Sequence, residues 1–226
     1  MADIKIDCDE ELNKAIRFNI FHLMSTGSST NDSINIGAKL LTGEEYGGHA
    51  FWDTELFMLP FFSYVFPDIA KNLVSYRYRL LNAAKENAQK NGYKGAQYPW
   101  ESADDGTEQC PAYTIEPDGS CYRCYVADYE HHVSAAVAYG IYNYTKITGD
   151  LEFFYNKGIY ILIETARFWA SRCECCMYVP TPKFSEVSVC VSQYCPCMSY
   201  RCCSLVEKAD AISDTSVRFE RCRVTL

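Results

Sequence analysis

The sequence predicts an all-α fold built from antiparallel helical hairpins. Apolar residues recur at the roughly 3.6-residue spacing of an α-helix through residues 1–172. The predicted connections alternate between long and short, which brings the long loops to one end of the hairpins. Hairpins arranged in a ring form an α/α toroid, and this stretch accounts for about half of one. A helical-repeat solenoid is the alternative, although the segments show no self-similarity at a fixed period.

Five helices are predicted, in order. They cover residues 10–24, 54–65, 69–90, about 129–146, and about 151 or 156 to 171. The first places Leu12, Ile16, Ile20 and Leu23 on one face, as expected of an amphipathic helix.

Local signals define the later elements. The second helix is nearly all apolar and is expected to be fully buried, with a kink at Pro60. Gly149 is expected to end the fourth helix in the left-handed conformation, and Asp150 to cap the next one. The long loops cover residues 25–51 and 91–128.

Charge and hydropathy exclude several classes of partner. The chain has 226 residues, 48% hydrophobic content and a formal net charge of -8, with a sequence pI near 5.0. This balance argues against nucleic acid, whose binders cluster basic residues. An acidic N-terminal stretch and the lack of a long apolar run argue against a signal peptide and a membrane span. The sequence thus predicts a cytoplasmic protein with no membrane partner.

The cysteines divide the chain into two parts. Four of the 13 lie within residues 1–172 and the others follow. Residues 173–226 alternate at neither the helical nor the strand period, so we expect an out-of-frame or disordered tail. Residues 1–172 are predicted to be the N-terminal half of an (α/α)6 domain.

Two aromatic-acid pairs are candidates for ligand binding. Trp52-Asp53 and Trp100-Glu101 lie on, or at the exit of, the two long loops. An indole ring covers the C–H face of a sugar and a carboxylate accepts hydrogen bonds from its hydroxyl groups, so a carbohydrate is the leading ligand. The structural alternatives are that Trp52 fills the core and that Glu101 caps a turn for Ser102.

One cysteine-histidine set offers an alternative chemistry. Cys110, Cys121 and Cys124, with His131 or His132, supply ligands of the kind that zinc prefers. Outside the tail there is no second Cys-x-x-Cys at the spacing of a zinc finger. Free thiols are therefore the favoured interpretation, and no metal is predicted.

Five segments, in order, resemble the central domain of glycoside hydrolase family 65. They are Tyr46-Gly47-Gly48-His49-Ala50-Phe51-Trp52-Asp53-Thr54-Glu55, Tyr76-Arg77-Tyr78-Arg79-Leu80, Gly95-Ala96-Gln97-Tyr98-Pro99-Trp100-Glu101-Ser102, Glu130-His131-His132-Val133 and Glu164-Thr165-Ala166-Arg167-Phe168-Trp169-Ala170-Ser171-Arg172. The resemblance covers about residues 10–172 and implies an (α/α)6 barrel. It also implies that Trp52, Asp53, Trp100, Glu101 and His132 bind substrate around the glucosyl unit.

The resemblance further implies inverting phosphorolysis, or hydrolysis, of an α-linked glucose disaccharide. Inorganic phosphate would be the co-substrate, no cofactor would be needed, and full-length relatives would be homodimers. The family's general acid, a glutamate, falls beyond the matched region, so we expect this chain to be inactive by itself. The alternative is a non-catalytic glycan-binding or helical interaction module. Within the family, the segment Tyr98–Ser102 favours phosphorylases that act on kojibiose-like or nigerose-like linkages.

Overall fold

The computed structural model describes residues 4–7, 9–43 and 45–177, and this part of the chain is mostly helical. The helices are α1 (Glu10–Met24), α2 (Leu59–Val65), α3 (Pro67–Arg79), α4 (Leu81–Lys90), α5 (Val126–Tyr129), α6 (Val133–Thr148), α7 (Leu151–Phe153) and α8 (Ile159–Met177). The strands are β1 (Tyr113–Ile115) and β2 (Cys121–Arg123). The predicted tail from residue 178 onward lies outside the described residues.

The first predicted helix is confirmed, and its apolar face is partly covered, since Ile16, Ile20 and Leu23 are half-buried. The carboxylate of Asp9 caps α1 by accepting a hydrogen bond from the Leu12 N–H at 2.8 Å. In the part of the chain that the structure describes, no residue of α1 is buried. Only Leu23 of the predicted face packs against the main core. Helical periodicity therefore located both the helix and the side of it that lies nearer the protein.

The second helix begins with a π-helical turn, Thr54–Met58, that runs directly into α2. Pro60 lies in the first turn of α2 and has no N–H to donate back to the π-helical turn, so the irregular turn comes before Pro60. The expectation of full burial was wrong, since Phe57 is 66% exposed and Tyr64 is 75% exposed. Leu59 and Phe62 form the buried side of this helix.

The predicted third helix is divided at Leu80 into α3 and α4. The Tyr98 hydroxyl donates a hydrogen bond of 2.8 Å to the backbone carbonyl of Arg77. In an unbroken helix that carbonyl would accept from the N–H of Leu81. A side chain inserted into the helical ladder in this way produces a break that local sequence does not reveal.

The caps predicted between the last helices are confirmed. Gly149 has φ 70°, and its N–H donates to the carbonyl of Thr145. The Asp150 carboxylate accepts from the N–H of Phe153 at 2.9 Å. From there α7, the π-helical turn Phe154–Gly158 and α8 form one continuous helical segment.

The long loop before α5 contains a hairpin that was not predicted. β1 pairs antiparallel with β2, with Tyr113 opposite Arg123. The turn between them contains Pro117-Asp118-Gly119, a combination typical of tight turns, which is the signal that could have indicated the hairpin. Every residue of both strands is exposed, so no apolar alternation accompanied that signal.

The main core lies where α2, α3, α6 and α8 meet. α2 packs against α3 and α6, and α6 also packs against α8. Its buried side chains include Leu59, Phe62, Leu73, Val74, Val137, Ile141 and Ile161. The toroid remains a prediction. Within the described residues, no helix combines the length and hydropathy that a membrane span requires.

Candidate functional site

The two tryptophans predicted to bind a ligand converge on one histidine. The ring of His132 lies 4.8 Å from that of Trp52 and 5.6 Å from that of Trp100, centroid to centroid, and both contacts are edge-to-face. All three side chains are half-buried. Trp52 also contacts Phe57 at 5.6 Å, so it belongs partly to the packing, as the structural alternative predicted. Three predicted site residues thus share one cluster.

A backbone pairing brings the two Trp-acid segments together. The Ala50 N–H donates to the carbonyl of Ser102 at 3.0 Å, and the Ser102 N–H donates to the carbonyl of Ala50 at 2.9 Å. These residues lie two before Trp52 and two after Trp100. The pairing therefore holds the end of the first long loop beside the second long loop, although Ala50 and Ser102 are 52 positions apart in the sequence.

Glu101 is buried and contacts an imidazole that was not among the predicted site residues. Its Oε1 lies 2.7 Å from Nδ1 of His49, and the residue is only 7% exposed. The structural alternative, in which this carboxylate caps a turn for Ser102, is therefore not what the structure shows. His49 stands in the quoted segment before Trp52, but no residue pattern linked it to Glu101.

Asp53 lies directly after Trp52, where the π-helical turn begins, and is half-buried. Among the described residues, its side chain makes no capping hydrogen bond to that turn. Its carboxylate is therefore not needed for helix capping.

Arg77 supports both Trp-acid segments from within the core. Its Nε donates to Oε1 of Glu55 at 2.7 Å, and one terminal nitrogen donates to Oε2 at 3.0 Å. The guanidinium also donates to the carbonyl of Phe51 and to the hydroxyl of Ser102, each at 3.0 Å. Phe51 precedes Trp52, and Ser102 follows Glu101. One buried side chain thus fixes the backbone beside both pairs.

The charge of Arg77 is compatible with this burial. Burial alone lowers the pKa of a guanidinium, but the charge of Glu55 and its hydrogen bonds outweigh that effect. The pKa of Arg77 therefore lies above its usual value, so the buried guanidinium keeps its charge. The rings of Tyr76 and Tyr98 lie 5.6 Å and 5.8 Å from the guanidinium carbon.

Glu108 shapes the second loop by accepting three backbone hydrogen bonds. Its carboxylate accepts from the N–H of Trp100 at 2.6 Å, and from those of Glu101 and Cys110 at 3.0 Å each. Backbone donors directed at one carboxylate hold a loop in a single conformation. No sequence pattern indicates this role, since Glu108 stands in a stretch without periodicity.

Comparison with known proteins identifies the family. The model of the glycosyl hydrolase family 65 central catalytic domain matches residues 17–179, more than half of the chain. The chain belongs to glycoside hydrolase family 65. The resemblance in the five motifs is thereby confirmed.

Relatives of this family 65 chain include phosphorylases and a hydrolase. It is 55% identical over 174 residues to a kojibiose phosphorylase of Caldanaerobacter subterraneus subsp. tengcongensis, covering 77% of this chain and 23% of the relative. It is 41% identical over 174 residues to a kojibiose hydrolase of Flavobacterium johnsoniae, covering 76% and 24%. The chain thus spans about a quarter of the length of these relatives.

A solved structure agrees with the sequence relatives. It is a candidate kojibiose phosphorylase from the human microbiome, 36% identical, with a TM-score of 0.66, and the match covers 75% of this chain and 23% of that one. The helical fold described above is therefore the fold of a family 65 segment.

The two adjacent histidines of this family 65 chain have different environments. His131 is buried against the rings of Tyr93 and Phe168. Burial lowers its pKa, and the charge of Arg172 lowers it further. His132 faces the tryptophans, and its Nδ1 lies 3.0 Å from Oε2 of Glu130. Of the two histidines, His131 is therefore a core residue and His132 belongs to the aromatic cluster.

Two further features lie apart from the aromatic cluster. Among the described residues, no three or more His, Cys, Asp or Glu side chains converge as a metal site, so the zinc alternative gains no support.

A shallow depression of about 330 Å³ is lined by Ser33, Ile34, Asn35, Gly48, His49, Ala50, Tyr76, Ser102, Ala103 and Asp104. That lining contains none of the five predicted site residues, so the depression is not the predicted pocket.

Proposed function

We propose that this chain contributes the glucosyl-binding part of a family 65 enzyme that cleaves an α-linked glucose disaccharide. The observation that carries the proposal is the convergence of Trp52 and Trp100 on His132. Two indole rings beside a half-buried imidazole offer apolar faces for sugar C–H groups and a polar atom for a hydroxyl. The kojibiose-acting relatives support a disaccharide as substrate.

The acids beside the tryptophans complete this chemistry. Asp53 is half-buried, and its carboxylate is an acceptor of hydrogen bonds from sugar hydroxyl groups. Glu101 is held by His49 at 2.7 Å, so its carboxylate has a fixed orientation. Carboxylates placed near the anomeric carbon favour a transition state that resembles an oxocarbenium ion. We assign both acids to substrate binding and to stabilisation of that positive charge.

The reaction we propose is inverting phosphorolysis. A carboxylic acid protonates the glycosidic oxygen while inorganic phosphate attacks the anomeric carbon from the opposite face, which inverts that carbon and yields β-glucose 1-phosphate. The resemblance assigns the proton donor to no residue of this chain. We therefore expect sugar binding without turnover from this polypeptide alone, and turnover only when the remaining parts of an (α/α)6 barrel are supplied.

Sugar binding is tested on the chain itself. Saturation-transfer NMR with kojibiose and glucose is expected to show binding that Trp52→Ala and Trp100→Ala each weaken by about tenfold, since stacking on one ring contributes on the order of 1 kcal/mol. Trp169→Phe serves as the control because Trp169 lies in α8 and contacts Arg172. Equal weakening by the control, or no binding to any disaccharide of a panel, would exclude the proposed site.

The absence of turnover is tested separately. Release of β-glucose 1-phosphate from kojibiose, nigerose, trehalose and maltose is measured with this chain and with a full-length relative in the presence of phosphate. Activity in the relative alone is the expected result. Phosphate-dependent activity in this chain would show that our assignment of the proton donor is wrong.

A further inference from the structure

Two cysteines of the hairpin loop face each other. The Sγ atoms of Cys110 and Cys124 lie 3.7 Å apart, and both residues are half-buried. The Cys124 N–H donates to the carbonyl of Ala112 at 2.9 Å. This hydrogen bond extends the β1–β2 pairing by one residue beyond Tyr113 and Arg123, so the hairpin backbone holds the two thiols together.

We propose that Cys110 and Cys124 form a thiol–disulfide modification site whose oxidant is a low-molecular-weight disulfide such as oxidised glutathione. A disulfide bond is about 2 Å long and requires neighbouring β-carbons. Sulfur atoms already in contact need only a small side-chain adjustment to reach that geometry. The proposal is independent of the function proposed above, because it concerns only these two thiols.

The exchange balances in two steps. The thiolate of Cys124 attacks one sulfur of oxidised glutathione, forms a mixed disulfide and releases one glutathione. The thiolate of Cys110 then attacks the Cys124 sulfur and releases the second glutathione. The two cysteines lose two protons and two electrons in total, and oxidised glutathione takes them up to become two molecules of glutathione.

The order of these steps follows from the environment of Cys110. Burial raises the pKa of its thiol to about 12, and the hydrogen bond and charge of Cys124 act in the same direction. We therefore assign the first attack to Cys124. Once Cys124 is in the mixed disulfide, its hydrogen bond and charge no longer raise the pKa of Cys110, and only the effect of burial remains.

The third cysteine of the loop provides an internal comparison. Cys121 lies in β2 opposite Ile115 and is exposed. Its Cys-x-x-Cys spacing with Cys124 is the sequence pattern that suggests pairing, but the structure places Cys110 against Cys124 instead. We therefore expect Cys124 to pair with Cys110, which is more distant in the sequence than Cys121.

Oxidation would also act on the loop that carries the candidate site. The N–H of Cys110 donates to the carboxylate of Glu108, which holds the N–H groups of Trp100 and Glu101. Cys124 precedes the segment that leads to His132. A Cys110–Cys124 bond therefore joins the two segments on which the aromatic cluster depends.

Peptide mapping of the whole chain tests the pairing. The protein is equilibrated over a series of glutathione redox ratios, quenched with iodoacetamide and digested with trypsin and chymotrypsin. Chymotrypsin cleaves after Tyr113 and separates Cys110 from Cys121, while trypsin cleaves after Arg123 and separates Cys121 from Cys124. We expect a Cys110–Cys124 cross-link in the wild type and, at the same redox ratio, in Cys121→Ser.

Two comparisons make the test decisive. In Cys110→Ser, only Cys121 remains near Cys124. The effective concentration of these two thiols, read from the redox ratio at which half of the protein is cross-linked, is expected to be at least about tenfold lower than that of Cys110 and Cys124 in the wild type. In 8 M urea, the preference for Cys110–Cys124 is expected to disappear. Alkylation of Cys110 at every redox ratio, its cross-linking to any other cysteine, or the same distribution with and without urea would overturn the proposal.

Discussion

Arg77 and Glu55 form an ion pair inside the core that also fixes the backbone beside both Trp-acid pairs. The two side chains are 1% and 4% exposed, and the Nε–Oε1 distance is 2.7 Å. The same guanidinium donates to the Phe51 carbonyl and the Ser102 hydroxyl. The Arg77 guanidinium thus joins α3 to the π-helical turn that contains Glu55, and both to the loop residues Phe51 and Ser102. Folding of the core and placement of the candidate site are therefore coupled.

Removing one partner of this pair is expected to destabilise the chain severely. Glu55→Gln leaves a buried guanidinium without a counter-charge, which costs about 3–5 kcal/mol. The free energy of unfolding in urea measures the loss. Arg123→Gln is the matched control, since Arg123 pairs with Asp128 at 2.9 Å on the exposed hairpin, and it is expected to change little. A similar change in both variants would contradict the role assigned to burial.

The sequence predicted most helices because periodicity and caps are local signals. Gly149 and Asp150 were identified correctly for that reason. The break at Leu80 was not, because its cause is the hydroxyl of Tyr98, which arrives from a distant loop. Burial of the second predicted helix was overestimated, because a segment that is apolar all round in sequence can still leave Phe57 and Tyr64 exposed.

The candidate site was predicted only in part, for a similar reason. Trp52, Trp100 and His132 stood out as residue types suited to sugars, and the structure brings them together. His49 contacts Glu101 and Glu108 accepts from the N–H of Trp100, and no spacing in the sequence encodes either contact. Whether the predicted residues bind sugar stays a prediction.

Glu108 is expected to matter for sugar binding more than for stability. Glu108→Gln replaces one accepting oxygen with a donor that cannot face a backbone N–H, so the loop around Trp100 and Glu101 loosens. We expect weaker kojibiose binding with a loss of about 1 kcal/mol or less in the free energy of unfolding. Glu116→Gln, in the hairpin turn, is the control. Unchanged binding in Glu108→Gln would exclude this role.

Asp150 is expected to make part of the stability depend on pH. Burial would raise its pKa, but the N–H of Phe153, Lys71 and the Tyr144 hydroxyl together bring it below the usual 3.8. A pKa lower in the folded state stabilises the fold at pH values above 3.8, and this contribution is lost as pH falls through the folded value. Asp150→Asn should therefore be less stable than wild type at pH 7, and the difference should shrink below pH 3.8. Urea unfolding of both proteins at pH 7 and below pH 3.8 measures the difference in the free energy of unfolding. The same difference at the two pH values would contradict a role for the Asp150 pKa.

Gly95 is expected to be irreplaceable where the second loop docks on α8. It has φ +72°, and an added Cβ would contact the Glu164 carbonyl oxygen and the Phe168 nitrogen. Gly92→Ala is the matched control, because φ there is +80° but nothing lies within 4 Å of the added carbon. The control should lose about 1–2 kcal/mol from backbone strain alone. Gly95→Ala should lose clearly more, since the loop must move off α8 and the hydrogen bond from the Ala96 N–H to the Glu164 carbonyl must break. Urea unfolding of both variants distinguishes strain from collision, and equal losses would mean that the loop does not rest on α8 in solution.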